Sequence, residues 1–213
     1  VSWKRWRWAL LTPRKQLATL KRRQGCALAA FFYYPTLLLD DVLLMEKIMS
    51  AQISLRLATQ DDLATILSFI KGLAEYEKLS DQVVADEEKL RETLFGSKAY
   101  AEVVIAEYLQ QAAGFALFFH NYSTFLAKPG IYLEDLFVLP AFRGKGLGKL
   151  LLSYLAKLAV ERNCGRLEWS VLDWNQPAID FYQSQGAQLL HDWRINRLTG
   201  QQLVALAQQY PTS

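Results

Sequence analysis

From Ile131 to Leu155 the chain reads IYLEDLFVLPAFRGKGLGKLLLSYL, and this stretch admits few folds. Ile131 to Leu139 is a β-branched, aromatic and aliphatic run broken only by Glu134 and Asp135; Pro140, which lacks a backbone donor, ends it as a strand. Leu147, Leu150, Leu151, Tyr154, Leu155 and Leu158 then recur at the spacing of a helix with one buried face. Between strand and helix lies Arg143-Gly144-Lys145-Gly146-Leu147-Gly148. Glycines at alternate positions let the backbone turn tightly and bring its N–H groups near a ligand. The helix start behind them adds unpaired donors and a partial positive charge, which favour phosphate. Arg143, Lys145 and Lys149 add full charges, so the loop predicts a pyrophosphate-binding site.

Two common phosphate loops are excluded by spacing. A Walker A loop ending at Gly148-Lys149 requires glycine at 143 and Ser or Thr at 150, where Arg143 and Leu150 stand. A dinucleotide fingerprint beginning at Gly144 requires glycine in place of Lys149. What remains, Arg143, Gly146 and Gly148, resembles the R/Q-x-x-G-x-G/A motif of the GNAT acetyltransferase family. A second block, Asn175-Gln-Pro-Ala178-Ile-Asp-Phe181-Tyr182-Gln-Ser-Gln-Gly186-Ala187, resembles that family's N-x-x-A-x-x-F/Y-Y-x-x-x-G-F/A. The resemblance spans about Ile53 to Ala207. It implies an α/β fold with a mixed, centrally splayed sheet flanked by helices, acetyl-CoA as co-substrate and a homodimer. It also implies that Phe137, Val138 and Arg143 through Lys149 (Gly144, Lys145, Gly146, Leu147 and Gly148 between them) bind the coenzyme. Asn175 would contact the pantetheine arm, and Tyr182 would reach the thioester sulfur as proton donor to the leaving thiolate.

Three further stretches, Leu73 to Val83, Tyr132-Leu-Glu-Asp135 and Val171 to Gln176, resemble the diamine (spermidine/spermine) and thialysine acetyltransferases within the family. By that resemblance Tyr76, Glu77, Glu134 and Asp135 line the amine channel. Acids are depleted in strands, so two adjacent ones amid apolar neighbours suggest chemistry. An alkylamine arrives as the ammonium and must lose a proton before it attacks a thioester; Glu134 is the candidate base. A backbone N–H near Phe137 or Val138 would stabilise the oxyanion if a bulge frees it from the sheet. The spermidine/spermine enzymes carry Tyr-Asp-Pro-Trp in the loop before this strand, against Tyr122-Ser123-Thr124-Phe125 here. The loss of an acid and an indole points to a short diamine or a lysine-like amino acid such as thialysine rather than spermine. Acetylation of a protein amine and non-catalytic acyl-CoA sensing are the alternatives.

Elsewhere the pattern predicts a strand at Ile53–Leu57, a helix opened by a capping box at Thr59–Asp62 that runs through Leu73 and ends at about Tyr76-Glu77-Lys78, and another from about Ala85 to Leu94. Ala101–Glu107 and Gln111–His120 form a predicted hairpin, followed by a loop from Asn121 to Gly130. Beyond the glycine turn come a strand at Arg166–Val171, a helix started by Asp173–Pro177 with the proline inside its first turn and ended by Gly186, and strands at Ala187–Leu190 and Trp193–Leu198. A last helix is predicted over Gln201–Gln208.

Charge divides the chain. Residues 1–48 hold nine Lys/Arg and three acids, which leaves 15 basic and 18 acidic residues in 49–213. The overall +3 therefore averages a basic leader with an acidic domain, and nucleic acid is not an expected partner. The leader's apolar run from Cys26 to Leu39 is shorter than a membrane span and lacks a small-residue cleavage site, so no stable membrane insertion is expected. Residues 1–48 read as a segment outside the fold, whether an over-extended start, a targeting segment or a membrane-surface segment. Two cysteines and two distant histidines predict neither a disulfide framework nor a metal site, consistent with a reducing cytoplasm.

Overall fold

The computed structural model describes residues 52–211; the predicted leader, 1–48, lies outside the described residues. Two compact units meet in sequence at Trp169/Ser170.

The first unit is built on a five-stranded sheet. Its elements are β1 (Ile53–Leu57), α1 (Leu63–Glu77), α2 (Glu87–Phe95), β2 (Glu102–Tyr108), β3 (Gln111–Ser123), β4 (Lys128–Val138), α3 (Leu147–Glu161) and β5 (Leu167–Trp169). The strands lie in chain order, antiparallel from β1 to β4, and β5 pairs parallel to β4. Antiparallel neighbours need only short turns, whereas the parallel β4–β5 pair needs α3 as its crossover. The sheet is mixed, with flanking helices, as the sequence implies. The predicted hairpin closes through Leu109 and Gln110, both at positive φ, which suits the twist of a two-residue turn.

Side chains alternate across the sheet. Val103, Ile105, Phe115 and Phe137 face α1 and α2 and pack with Leu63, Ile66, Phe69, Leu90 and Leu94. Phe69 anchors this layer, with its ring 5.5 Å from that of Phe115 and 6.3 Å from that of Phe137. Each such buried side chain stabilises the fold by about 1.5–3 kcal/mol. The intervening Val104, Ala116 and Phe118 are also buried and face α3, whose Leu147, Leu151 and Leu155 are fully covered. Helices α1 and α3 are each anchored by charge at one end. Arg56 grips Asp62, which caps the turn before α1, and Arg162 at the end of α3 makes a bidentate bridge to Glu102.

The predicted loop from Asn121 to Gly130 is mostly ladder. β3 and β4 stay paired out to Ser123↔Lys128, a two-stranded extension with Thr124–Ala127 as its turn. The second unit holds α4 (Gln176–Ser184) and α5 (Gly200–Ala207). The strands predicted at Ala187–Leu190 and Trp193–Leu198 do not form. These residues are largely exposed and join no ladder among the described residues, and a strand without a partner leaves its backbone groups to water. The predicted strand Arg166–Val171 is ladder only over Leu167–Trp169. No helix of the described residues is long and apolar enough to cross a membrane.

Candidate active site

Strand β4 carries the acid pair on an irregularity. Leu136 and Asp135 oppose Ala116 and Leu117, but the next β3 residue, Phe118, opposes Leu133. Glu134 is thus the extra residue of a β-bulge, which leaves it out of the ladder and re-aims its neighbours. Glu134 is exposed and Asp135 partly buried. Asp135 shares its sheet face with Phe137, two residues on, and therefore points toward α1.

The end of α1 closes over this point. Lys78, in the left-handed region at φ 61°, terminates the helix, and the N–H of Leu79 returns to the carbonyl of Ala74. Tyr76 and Glu77 thereby occupy the last turn. Gly72 lets α1 approach β4: a Cβ there would lie 3.0 Å from Cζ of Phe137. Burial, then the charges of Glu134 and Glu77, push the Asp135 carboxyl up to about 6. Burial also raises Glu77. Three carboxylates from two elements thus converge, and one is poised to change protonation near neutral pH.

The glycine turn lies at the other end of the strand. Gly144 and Gly146 adopt φ of 73° and 88°, and no atom lies within 4 Å of where a Cβ would stand on either. Glycine is therefore demanded by backbone conformation, while the space beside it is open to a ligand. Among the described residues, none of the N–H groups from Gly144 to Lys149 meets a backbone acceptor; Leu150 is the first to return, to Gly146. A cradle of unpaired donors at a helix start fits a pyrophosphate.

The basic side chains of the turn have partners of their own. Arg143 Nε donates to the Val138 carbonyl at 3.0 Å, and its guanidinium lies 4.8 Å over the Tyr76 ring and 5.8 Å from that of Phe137. Lys145 Nζ sits 5.1 Å over the Tyr108 ring. The N–H of Leu139 bonds to Ala113, so by antiparallel alternation Phe137 also donates to β3. Val138 then points its N–H and carbonyl to the opposite edge. There the ladder with β5 ends at Leu133↔Trp169, so Val138 has no strand partner among the described residues. The bulge lies at Glu134 rather than beside Val138; the unladdered donor arises from the short β5.

In the second unit Asn175 is buried, and its side-chain oxygen accepts from the Ala178 N–H to cap α4. Tyr182 is partly buried, with its ring 5.3 Å from that of Phe181. The loop read for amine preference lies at the tip of the β3–β4 extension. Ser123 is buried and accepts from Leu126, and Phe125 is 98% exposed. Asp135 lies seven residue steps along the strand from Lys128, roughly 23 Å, so Phe125 does not reach the acid pair of its own chain. Sequence reading missed the raised Asp135 carboxyl and the Arg143–Val138 link. Its only signals were the lone Gly72 within a helix and the adjacency of two acids.

Residues 70–187 match the family model described as the Acetyltransferase (GNAT) family. A thialysine N-epsilon-acetyltransferase of Bos taurus is 38% identical over 168 residues, covering 74% of this chain and 98% of that protein. An L-ornithine N5-acetyltransferase of Arabidopsis thaliana is 36% identical over 197 residues, covering 71% of this chain and 86% of that one. Among solved structures, an integron cassette protein from the mobile metagenome of V. cholerae is similar at a TM-score of 0.64 and 27% identity. It covers 74% of this chain and 99% of its own.

Proposed function

Since the chain belongs to the GNAT family and is an N-acetyltransferase acting on amines, we propose that it acetylates a primary amine of a small diamine or lysine-like amino acid. The transfer is direct, in a ternary complex with acetyl-CoA, the co-substrate of the family. The observation that carries this reading is the arrangement along β4. A carboxylate cluster at Glu134 and Asp135 stands three to four residues, about 10–13 Å, from the unladdered Val138 N–H, with the donor-rich turn beyond.

The cluster attracts an ammonium and then removes its proton. With an amine pKa near 10, deprotonation at pH 7 costs about 4 kcal/mol, so an acceptor that takes the proton directly or through water lowers the barrier. Glu134 is one acceptor. Asp135 is favoured as the other because its carboxyl, at about 6, can hold a proton without being wholly protonated at pH 7. The Val138 N–H donates to the oxygen on which negative charge develops. Backbone N–H groups from Gly144 to Lys149 hold the pyrophosphate, and Phe137 lines the coenzyme's path. Asn175 meets the pantetheine arm, and Tyr182 protonates the leaving thiolate; these two roles rest on the match of their motif to the family. Tyr76 and Glu77 complete the amine channel.

The preference for a small amine is supported by the substrates in the names of the relatives, thialysine and ornithine. Comparing kcat/KM for thialysine, lysine, ornithine, putrescine, spermidine and spermine tests it. The amino acids or putrescine are expected to lead; a clear lead by spermine assigns the enzyme to polyamines. Acetyl-CoA hydrolysis with none of these amines acetylated would turn attention to a protein substrate.

A homodimer belongs to the same reading, supported by the exposed apolar content of the second unit, where Trp193 and Ile195 are 77% and 72% accessible; a cytoplasmic setting rests on the cysteine usage of the sequence alone. Residues 49–213 are proposed as the catalytic domain. A protein beginning at Met49 is expected to melt, bind acetyl-CoA and turn over as the full chain does. Lost folding or turnover would show that residues 1–48 dock on the domain.

A further inference from the structure

We propose that the Arg143 side chain is a positioning residue, which ties the glycine turn to the amine end of the site, and not a ligand of the phosphate. The inference rests on the acetyltransferase reading above and assigns one of its residues a different task. Three contacts lead to it. Nε is spent on the Val138 carbonyl at 3.0 Å, and the guanidinium plane lies over the rings of Tyr76 and Phe137. The Val138 carbonyl and N–H leave the strand on the same edge, so a bond that fixes the first also aims the second. Tyr76 is the neighbour of Glu77, whose charge bears on Asp135. One side chain in the turn thus touches both the carbonyl of the residue that carries the candidate oxyanion donor and the helix end next to the acid cluster.

The motif itself argues against a need for charge at this position, since R/Q-x-x-G-x-G/A accepts glutamine. Glutamine keeps an N–H donor for the Val138 carbonyl but has no charge to offer phosphate, whereas lysine keeps the charge on a flexible stem without the planar donor geometry. The two substitutions therefore rank in opposite orders under the two roles.

Arg143→Gln and Arg143→Lys are compared with wild type by acetyl-CoA Kd from calorimetry, kcat at saturating acetyl-CoA and amine, and Tm of the free protein. As a positioning residue, Arg143 gives Kd within about threefold of wild type in both variants, about tenfold lower kcat in Arg143→Lys, and smaller losses of kcat and Tm in Arg143→Gln. Equal loss of kcat in both, with Kd unchanged, also supports positioning by the whole guanidinium. The proposal is overturned if Arg143→Gln weakens acetyl-CoA tenfold or more while Arg143→Lys restores it, or if neither changes kcat. Wild-type protein inert toward every amine would sink the functional reading instead. The Kd and Tm rankings would still decide whether Arg143 serves phosphate or the strand.

Discussion

Gly146→Asp is expected to abolish measurable acetyl-CoA binding while leaving the sheet folded. At φ 88° the position is in the left-handed region, where a side chain costs of order 1 kcal/mol or more. Beyond its chain neighbours nothing lies within 4 Å of the new Cβ, so the added carbon itself meets open space. The damage falls on the ligand side. A carboxylate enters the space toward which the unpaired N–H groups point, and it repels a pyrophosphate at close range. Two unit charges about 4 Å apart at an effective dielectric of 20 interact by about 4 kcal/mol, close to a thousandfold in affinity. Calorimetry with acetyl-CoA, beside circular dichroism and a melt, reads both halves of the result. A folded variant that binds as tightly as wild type would remove the turn from the coenzyme site.

Asp135→Asn is expected to lower amine acetylation by about 10²–10⁴ and, at the same time, to stabilise the free protein at alkaline pH. The two signs come from one cause. Burial and the charges of Glu134 and Glu77 raise the folded carboxyl to about 6, above its ordinary value near 4. A group raised in this way contributes stability that is fully present below its unfolded pKa and is lost as pH rises through about 6. Above pH 7 the native protein therefore holds an unfavourable charge, which asparagine removes. In the proposed mechanism catalysis needs that same charge, so wild-type kcat/KM should rise through an apparent pKa near 6, and this limb should vanish in Asp135→Asn. Glu134→Gln deletes one source of repulsion and should move the limb to lower pH if Asp135 is the acceptor. If Glu134→Gln abolishes the limb and Asp135→Asn keeps it, Glu134 is the base, with Asp135 left to hold the ammonium. A pH–rate profile of the three proteins, with melts at pH 5 and pH 8, separates these outcomes.

Activity and stability are expected to pull apart at this point because the fold gathers three acids. Glu77 and Asp135 are far apart in sequence and meet only because α1 crosses β4 at Gly72 and stops at Lys78. The same crossing brings Tyr76 under Arg143, so the glycine turn and the carboxylate cluster share a wall.

The sequence alone determined whatever local periodicity can encode. The strand, turn and helix from Ile131 to Leu155 follow from apolar spacing and from glycines at 144 and 146, and the structure has each of them. The family followed from two short motifs and is borne out. Tertiary structure decided the rest, because it depends on register and on partners far along the chain. A one-residue offset between Leu117/Phe118 and Asp135/Leu133 puts Glu134 in a bulge, and no composition rule near Glu134 announces which β3 residue it will miss. The Val138 N–H is left unladdered because β5 is only three residues long, a fact set some thirty residues downstream. The Trp193–Leu198 run has a strand's composition but joins no ladder among the described residues, since propensity supplies a conformation and only a neighbouring strand supplies the hydrogen bonds. The raised carboxyl of Asp135 is likewise a property of the packed site, where α1 removes water from a residue that sequence shows only as one acid beside another.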